Sequence, residues 1–363
     1  MVNENSTAEE WIKYFSNKVR IGETVTVSDL REAVKTISVK DPVAAKDAVT
    51  VFYSGEGSSF PKGLSETAGS GIRMIDRTEA CKFLADDRFQ EIFRNVVELE
   101  FSEEMKVSNG FSNLQKRFLF NGSSGSVAEG TWEASESFWS IVSRRFASET
   151  SGDAYALVSN ALPDRIFATD ELKTLLETLP DGAKICGFDA ADLRKLPEGE
   201  AFRRIHDFVV EDLAGGEVFF NEAGYITGRT FAGSSLESFA GRGFVPGEYA
   251  FKLPGSRAAG VNVAEEVKAS RMFFDGSGRV CGYDFANTKL EGAVEPPARG
   301  GYVYSMSGES YVETGSKLSS EQVRSALKDN AKSSANAFGI VRNEFCFTKF
   351  SYIELVIYKI AVV

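Results

Sequence analysis

The sequence predicts an α+β protein, with a mixed helical and strand-containing N-terminal part followed by a β-rich duplicated domain. Three observations predict it. Apolar residues recur at helical spacing in several stretches before residue 150, beginning with WIKYFSNKV at 11–19. Short runs of β-forming residues, VTVFYS at 49–54 and AYALVS at 154–159, interrupt those helices. Beyond residue 215 an aromatic segment occurs twice, as Phe219–Phe231 and again as Phe273–Phe285.

Taken in order, the first 50 residues read as helical, with Ser28-Asp29 before LREAV as a cap. Val49–Ser54 reads as a strand that runs into the small-residue loop SGEGSSFPKG. Helical stretches follow around 78–99 and 133–149, separated by NGSSGSVAEG, which is too polar and glycine-rich for a core. AYALVS reads as a strand, and 170–177 as a helix or a strand end. In the duplicated part, Asn221 or Asp275 with the following glycines supplies a turn between aromatic β-formers, the composition of a β-hairpin. Each copy continues into a Leu-Glu pair (Leu236-Glu237, Leu290-Glu291) and then a tyrosine-bearing strand (Tyr249, Tyr302). The period of about 54 residues implies a repeated structural unit. The expected organisation is a helical segment at 1–47, a domain at 48–215, and a β-rich domain at 216–363 with two repeats and a C-terminal strand.

Composition removes several classes of function. The 363 residues are 43% hydrophobic and 26% charged, ordinary for a globular chain with a sizeable core. A net charge of −11 argues against a dedicated nucleic-acid binder, which would carry a basic face. A single histidine, His206, excludes a multi-histidine metal site, and no metal is expected. The four cysteines lie far apart and form neither a zinc ribbon nor a disulfide framework, which points to a reducing compartment. MVNENSTAEEW has no basic and apolar leader pattern. The C-terminal FSYIELVIYKIAVV is too short and is broken by Glu354 and Lys359, so it reads as buried strand rather than membrane span. The location expected is the cytoplasm, or a target cell entered without a recognisable signal peptide. No Walker A sequence and no GxSxG elbow occurs.

One segment is more specific. Phe138–Ala147, FWSIVSRRFA, resembles the FWxxVSRRFA helix of the ADP-ribosyl cyclase family of NAD glycohydrolases. Phe83–Asp87 is similar to that family's YLADD, and Val51–Ser54 to its LFWS. Arg165-Ile166-Phe167 followed by Glu171-Leu172 falls where the family has KIF and then its catalytic glutamate. The blocks occur in the family's order and cover roughly residues 48–190. The resemblance implies a domain with a helical part and a small parallel sheet. It implies Glu171 as the catalytic glutamate, Trp139 and Tyr53 as paired aromatic walls, and Ser143 as the serine one turn from the tryptophan. It further implies Asp76 as the acid that holds the nicotinamide amide and Asp86 as a pocket-lining aspartate, with Ser54 and Phe167 beside the substrate. Three departures stand out: Tyr53 replaces a tryptophan, Asp76 is one methylene shorter than the usual glutamate, and Gly55 replaces the arginine after LFWS. A grip on the terminal phosphate by residues 54–58 would then rest on backbone N–H groups.

The chemistry fits those residue types. Cleavage of the nicotinamide–ribose bond expels a neutral base from a cationic ring through an oxocarbenium-like state, so no general acid is needed. A carboxylate beside the ribose stabilises the developing cation, and aromatic faces hold a pyridinium by cation–π attraction. Trp139 and Ser143, at i and i+4, share one helix face. The expected activity is conversion of NAD to nicotinamide plus ADP-ribose, cyclic ADP-ribose or both. NAD is the substrate and no cofactor is needed. A toxin or effector is one setting, since NAD depletion is lethal. The alternatives are an ADP-ribosyltransferase acting on a protein, and a non-catalytic nucleotide-binding module whose β repeats hold a protein partner.

Overall fold

Helix α1 (Ala8–Arg20) starts where Thr7 and Glu10 satisfy each other's backbone: the Thr7 hydroxyl accepts from Glu10 N at 3.2 Å and Glu10 accepts from Thr7 N at 2.8 Å. Its inward face buries Trp11, Ile12 and Phe15. Helix α2 (Val27–Thr36) uses the same device one turn long. Thr26 is the cap and Asp29 its reciprocal partner at 2.8 Å, so the cap lies two residues before the Ser28-Asp29 that the sequence suggested. Asp29 does serve the helix start, but from the third helical position. The far end of α2 is closed from outside, where Arg145 donates to the Val34 and Ile37 carbonyls at 2.7 and 2.8 Å. Arg145 is thus a half-buried helix clamp and not a solvated side chain.

The computed structural model describes residues 2–54, 59–106, 110–120, 137–161, 163, 165–197, 199–274, 280–293, 304–306, 345–347 and 356–358. It is a mixed α/β chain. Strands β1 (Val49–Tyr53), β2 (Ile72–Met74), β3 (Ala154–Leu157), β4 (Lys184–Ile185) and β5 (Phe188–Asp189) form one sheet in the order β2-β1-β3-β4-β5. The β2-β1-β3-β4 pairings are parallel, and β4–β5 closes antiparallel. Buried on both faces, β1 and β3 read as nearly continuous apolar runs, as parallel strands must. Helix α3 (Ser59–Thr67) corrects the loop expected through SGEGSSFPKG: Phe60, Pro61, Gly63 and Leu64 are buried in it, and a proline is tolerated in a first helical turn.

Helices α4 (Glu79–Ala85) and α5 (Asp87–Glu100) account for the stretch expected at 78–99; α6 (Ser102–Met105) and α7 (Gly110–Phe120) follow. Helix α8 (Phe138–Ser148) starts at the Ser137 cap. The NGSSGSVAEG loop and residues 133–136 lie outside the described residues. After β3 the chain makes a π-helical turn over Phe167–Glu171 that runs directly into α9 (Leu172–Thr178), so 170–177 is helical. Helices α10 (Ala190–Leu193) and α11 (Glu200–Asp212) complete this part. Its core is strongly aromatic: Phe52 packs on Phe146 and Phe167, and Phe83, Phe89, Phe93 and Phe138 form a contiguous row. Residues from α1 and α2 belong to the same core.

The duplication is structural. Strands β6 (Glu217–Phe220) and β7 (Ile226–Thr230) form a hairpin with Phe219 opposite Gly228 and Phe220 opposite Ile226. Strands β10 (Arg271–Phe274) and β11 (Val280–Asp284) repeat it, with Phe273 opposite Gly282 and Phe274 opposite Val280, and the same register shift. Each hairpin gains a third strand on the same side, β9 (Phe251–Pro254) beside β6 and β12 (Tyr304–Met306) beside β10; β8 (Gly243–Phe244) extends the first copy's sheet beside β7. The Leu-Glu pairs have one job in both copies. Glu237 accepts from Gly233 N at 2.9 Å and Glu291 from Asn287 N at 3.2 Å. Gly233 and Asn287 both have positive φ (77° and 64°), a conformation open to these two residue types. The first copy also contains α12 (Glu237–Ala240), α13 (Gly255–Ala258) and α14 (Val263–Ala269). The last strands, β13 (Phe345–Phe347) and β14 (Val356–Tyr358), pair antiparallel; the burial expected of this C-terminal segment lies outside the described residues.

The copies pack in series. Phe231, Leu236 and Ala240 of the first enter the core of the N-terminal part, whereas Phe285 and Leu290, the second copy's counterparts of Phe231 and Leu236, enter the first copy's own core with Val218, Phe220, Ile226 and Leu253. The Phe244 ring covers α3 at Gly63, where a Cβ would lie 2.2 Å from the ring.

Candidate active site

The carboxyl ends of β1 and β2 deliver the first two groups. Tyr53 is the last residue of β1, and Asp76 lies in the turn Ile75–Arg77 immediately after β2. Because β1 and β2 are parallel and adjacent, both side chains emerge at one edge of the sheet, the edge where open α/β sheets place their ligands. The Tyr53 hydroxyl donates to Asp76 Oδ1 at 3.0 Å. Among the described residues, Asp76 Oδ2 is buried without a hydrogen-bond partner. Burial pushes the Asp76 carboxyl up to about 6, partly offset by the Tyr53 hydroxyl and by the charge of Arg77.

Arg77 fixes that turn from behind. Its guanidinium is buried and donates to the carbonyls of Ser65 at 2.8 Å and Ile72 at 3.1 Å, to Gly69 and to Ala68, and lies 3.6 Å from Asp41, whose side chain is fully buried. The connection between α3 and β2 is thereby tied to the loop that carries Asp76.

Glu171 comes from the other side. The π-helical turn places it against α8, where it is 4% exposed, and its Oε2 is also buried without a partner among the described residues. Burial pushes its carboxyl up to about 8; a hydrogen bond with Ser143 works against that shift, and the Asp170 charge adds to it. Tyr53 is hydrogen-bonded to Asp76 and feels the charge of Glu171 more weakly. Burial raises its phenol well above the usual value, with Asp76, Cys81 and Glu171 as charged or ionisable neighbours that raise it further. Cys81 of α4, a buried free thiol, is likewise raised by burial and by Asp76.

Of the residues that the sequence singled out, the structure pairs Tyr53 with Asp76 and Ser143 with Glu171, and the Glu171 charge acts on Tyr53. Ser54 is buried beside Tyr53, its N–H donating to the Leu157 carbonyl at 3.0 Å. Trp139, one turn before Ser143, is half-buried against the core. Two others go elsewhere. Asp86 is the cap of α5, accepting from Arg88 N at 2.8 Å, and its carboxylate is paired with the Arg88 guanidinium at 2.9 Å, which also holds Glu9 of α1. That pairing holds its carboxyl below the ordinary range. Phe167 is fully buried, its ring packed against Phe52 and Phe202, so it fills the core. Residues 55–58, the expected phosphate grip, lie outside the described residues.

The structure also separates two adjacent acids that sequence could not. Asp170 is held by its surroundings: Thr169 donates to it at 2.8 Å, Ser140 at 3.5 Å, and Arg144 lies 3.6 Å away. Glu171 is buried, and among the described residues its Oε2 has no partner. Cys81 gave no sequence signal, because a buried thiol on a helix reads as a small apolar residue. Among the described residues no group of three or more His, Cys, Asp or Glu side chains could hold a metal ion, and no helix is long and apolar enough to cross a membrane.

No model of a known protein family matches the chain, and no curated protein matches it either.

Proposed function

We propose that this protein cleaves the nicotinamide–ribose bond of NAD. One observation carries the reading: among the described residues, Asp76 and Glu171 each hold one buried carboxyl oxygen without a hydrogen-bond partner, and the charges of both act on Tyr53. A buried carboxyl oxygen without a partner is costly to the fold. A ligand with a fixed positive charge relieves that cost and draws the acids into their ionised form. The nicotinamide ring of NAD has such a charge.

In this reading the scissile C1′–N bond breaks with both electrons leaving on nicotinamide, which departs neutral. Glu171, ionised by the approach of the cation, stabilises the ribosyl oxocarbenium, and Ser143 holds the carboxylate in place. Tyr53 and Trp139 supply aromatic faces for the pyridinium, and Asp76 takes the carboxamide. Water then adds at C1′ with loss of a proton to give ADP-ribose, or an adenine nitrogen adds to give the cyclic product. The partition depends on how far the site excludes water. The toxin or effector setting follows from the same chemistry, as does a cellular NAD pool as its substrate.

The test is chromatography of products after incubating the purified chain with NAD. Nicotinamide is expected in equal amount to ADP-ribose plus cyclic ADP-ribose, and Asp76→Asn is expected to shift the ratio of the last two. Label carried onto an added protein, with little loss of NAD in its absence, would favour the transferase alternative. Unchanged NAD would favour a binding module.

A further inference from the structure

The repeat places Tyr283 in the second copy where the first has Arg229, and both side chains are buried. Each reaches the unit before it. Tyr283 packs on Phe220 and Phe251 and donates to the Glu222 carbonyl at 2.8 Å in the first copy's hairpin. Arg229 reaches the N-terminal part, where Nη2 donates to Ser159 Oγ at 2.8 Å. Flanking side chains seat both copies in the same way, so a tyrosine suffices for the seating. Burying a guanidinium is unfavourable until its donors are met. Packing alone therefore does not account for an arginine here.

What the arginine adds is a grip on the turn that follows β3. With the Asn160 amide oriented to suit its neighbours, its oxygen accepts from Arg229 and its NH2 donates to the carbonyls of Ala258 at 3.0 Å and Val261 at 2.5 Å. Gly260 N donates to the Ser159 carbonyl at 3.0 Å. The first copy thus clamps two consecutive residues, Ser159 and Asn160. They open the segment that runs from the end of β3, beside Tyr53, to the turn that carries Glu171.

We infer that Arg229 is a positioning residue for Glu171. It anchors the start of the segment that carries the carboxylate, and the first β copy is a working part of the site rather than an appended binding unit. The kinetic side of this inference rests on the NAD-cleaving reading; the structural side rests on the contacts alone.

The experiment uses the full chain with Arg229→Tyr, which installs the second copy's residue, alongside Arg229→Lys and Ser159→Ala. Amide hydrogen exchange over 158–172 and the kcat and KM for nicotinamide release are measured. Arg229→Tyr is expected to keep the exchange of α1 and α2 unchanged while exchange over 158–172 rises about tenfold. Its kcat is expected to fall roughly 10- to 100-fold with KM nearly constant, because displacement of a reacting group acts on kcat. Lysine, which keeps one donor, should recover part of the loss, and Ser159→Ala should move both readouts in the same direction as tyrosine. Unchanged exchange over 158–172 in Ser159→Ala and in whichever arginine variant folds would overturn the inference, as would an effect on KM alone. If the parent chain consumes no NAD, the NAD reading fails and the exchange result still decides the anchoring.

Discussion

At pH 8, Glu171→Gln is expected to unfold at a higher temperature than the parent chain, and below pH 5 at nearly the same temperature. The Glu171 carboxyl sits at about 8 in the folded protein against an ordinary 4.5, because burial disfavours its charged form. A raised acid favours the fold while it is protonated. Its contribution is complete below about 4.5 and is lost as pH rises toward 8, where the folded chain must ionise a buried group or hold its proton against the solvent. By pH 7 this linkage costs about 3 kcal/mol, which corresponds to roughly 5 °C or more in unfolding temperature. Glutamine keeps the shape and cannot ionise, so the variant escapes the cost. Scanning calorimetry of both proteins at pH 5 and pH 8 checks this. Equal shifts at the two values would mean that glutamine acts through packing, and a lower midpoint at pH 8 would mean that the buried carboxylate is paired.

Affinity for NAD is expected to rise with pH up to about 8 and then level off. The ligand binds best when Glu171 and Asp76 are ionised, so binding releases protons that these buried groups hold in the free protein. Between pH 6, the approximate position of Asp76, and pH 8, that of Glu171, the dissociation constant should fall about tenfold per pH unit. The reduced dinucleotide, whose ring has no positive charge, should bind with little pH dependence and no matching proton release. Calorimetric titration with a carbocyclic NAD analogue, which keeps the pyridinium but resists cleavage, separates the two when repeated in buffers of different ionisation enthalpy. Identical profiles for the charged and neutral ligands would remove the cation from the account.

The parts of this site carried by local pattern were legible in the sequence. FWSIVSRRFA announces an amphipathic helix, and that helix presents Ser143 inward. VTVFYS announces a strand, and Tyr53 ends it. The paired Phe-Phe segments announced hairpins that the structure repeats in register. What failed to show was decided by distant partners. Asp86 reads equally as a pocket acid or a helix cap, and Arg88 with Glu9 makes it a cap. Phe167 lies in the right block, but Phe52 and Phe202 draw its ring into the core. Asp170 and Glu171 are neighbours in sequence, and only the π-helical turn gives one to Thr169, Ser140 and Arg144 and leaves the other against Ser143. Thr26 rather than Ser28 caps α2 because Asp29 closes the box from three residues on. Arg229 gave no local signal, because its role depends on Ser159 and Asn160, some 70 residues earlier in the chain.

The central claim is that Glu171 stabilises the ribosyl cation, and the rate of nicotinamide release by the parent chain and by Glu171→Gln, measured side by side at pH 8, tests it most directly. Steady release is expected from the parent, with a loss on the order of 10³-fold in a variant that is folded and more heat-stable. Equal rates in the two proteins, or a parent chain that releases no nicotinamide, would contradict it.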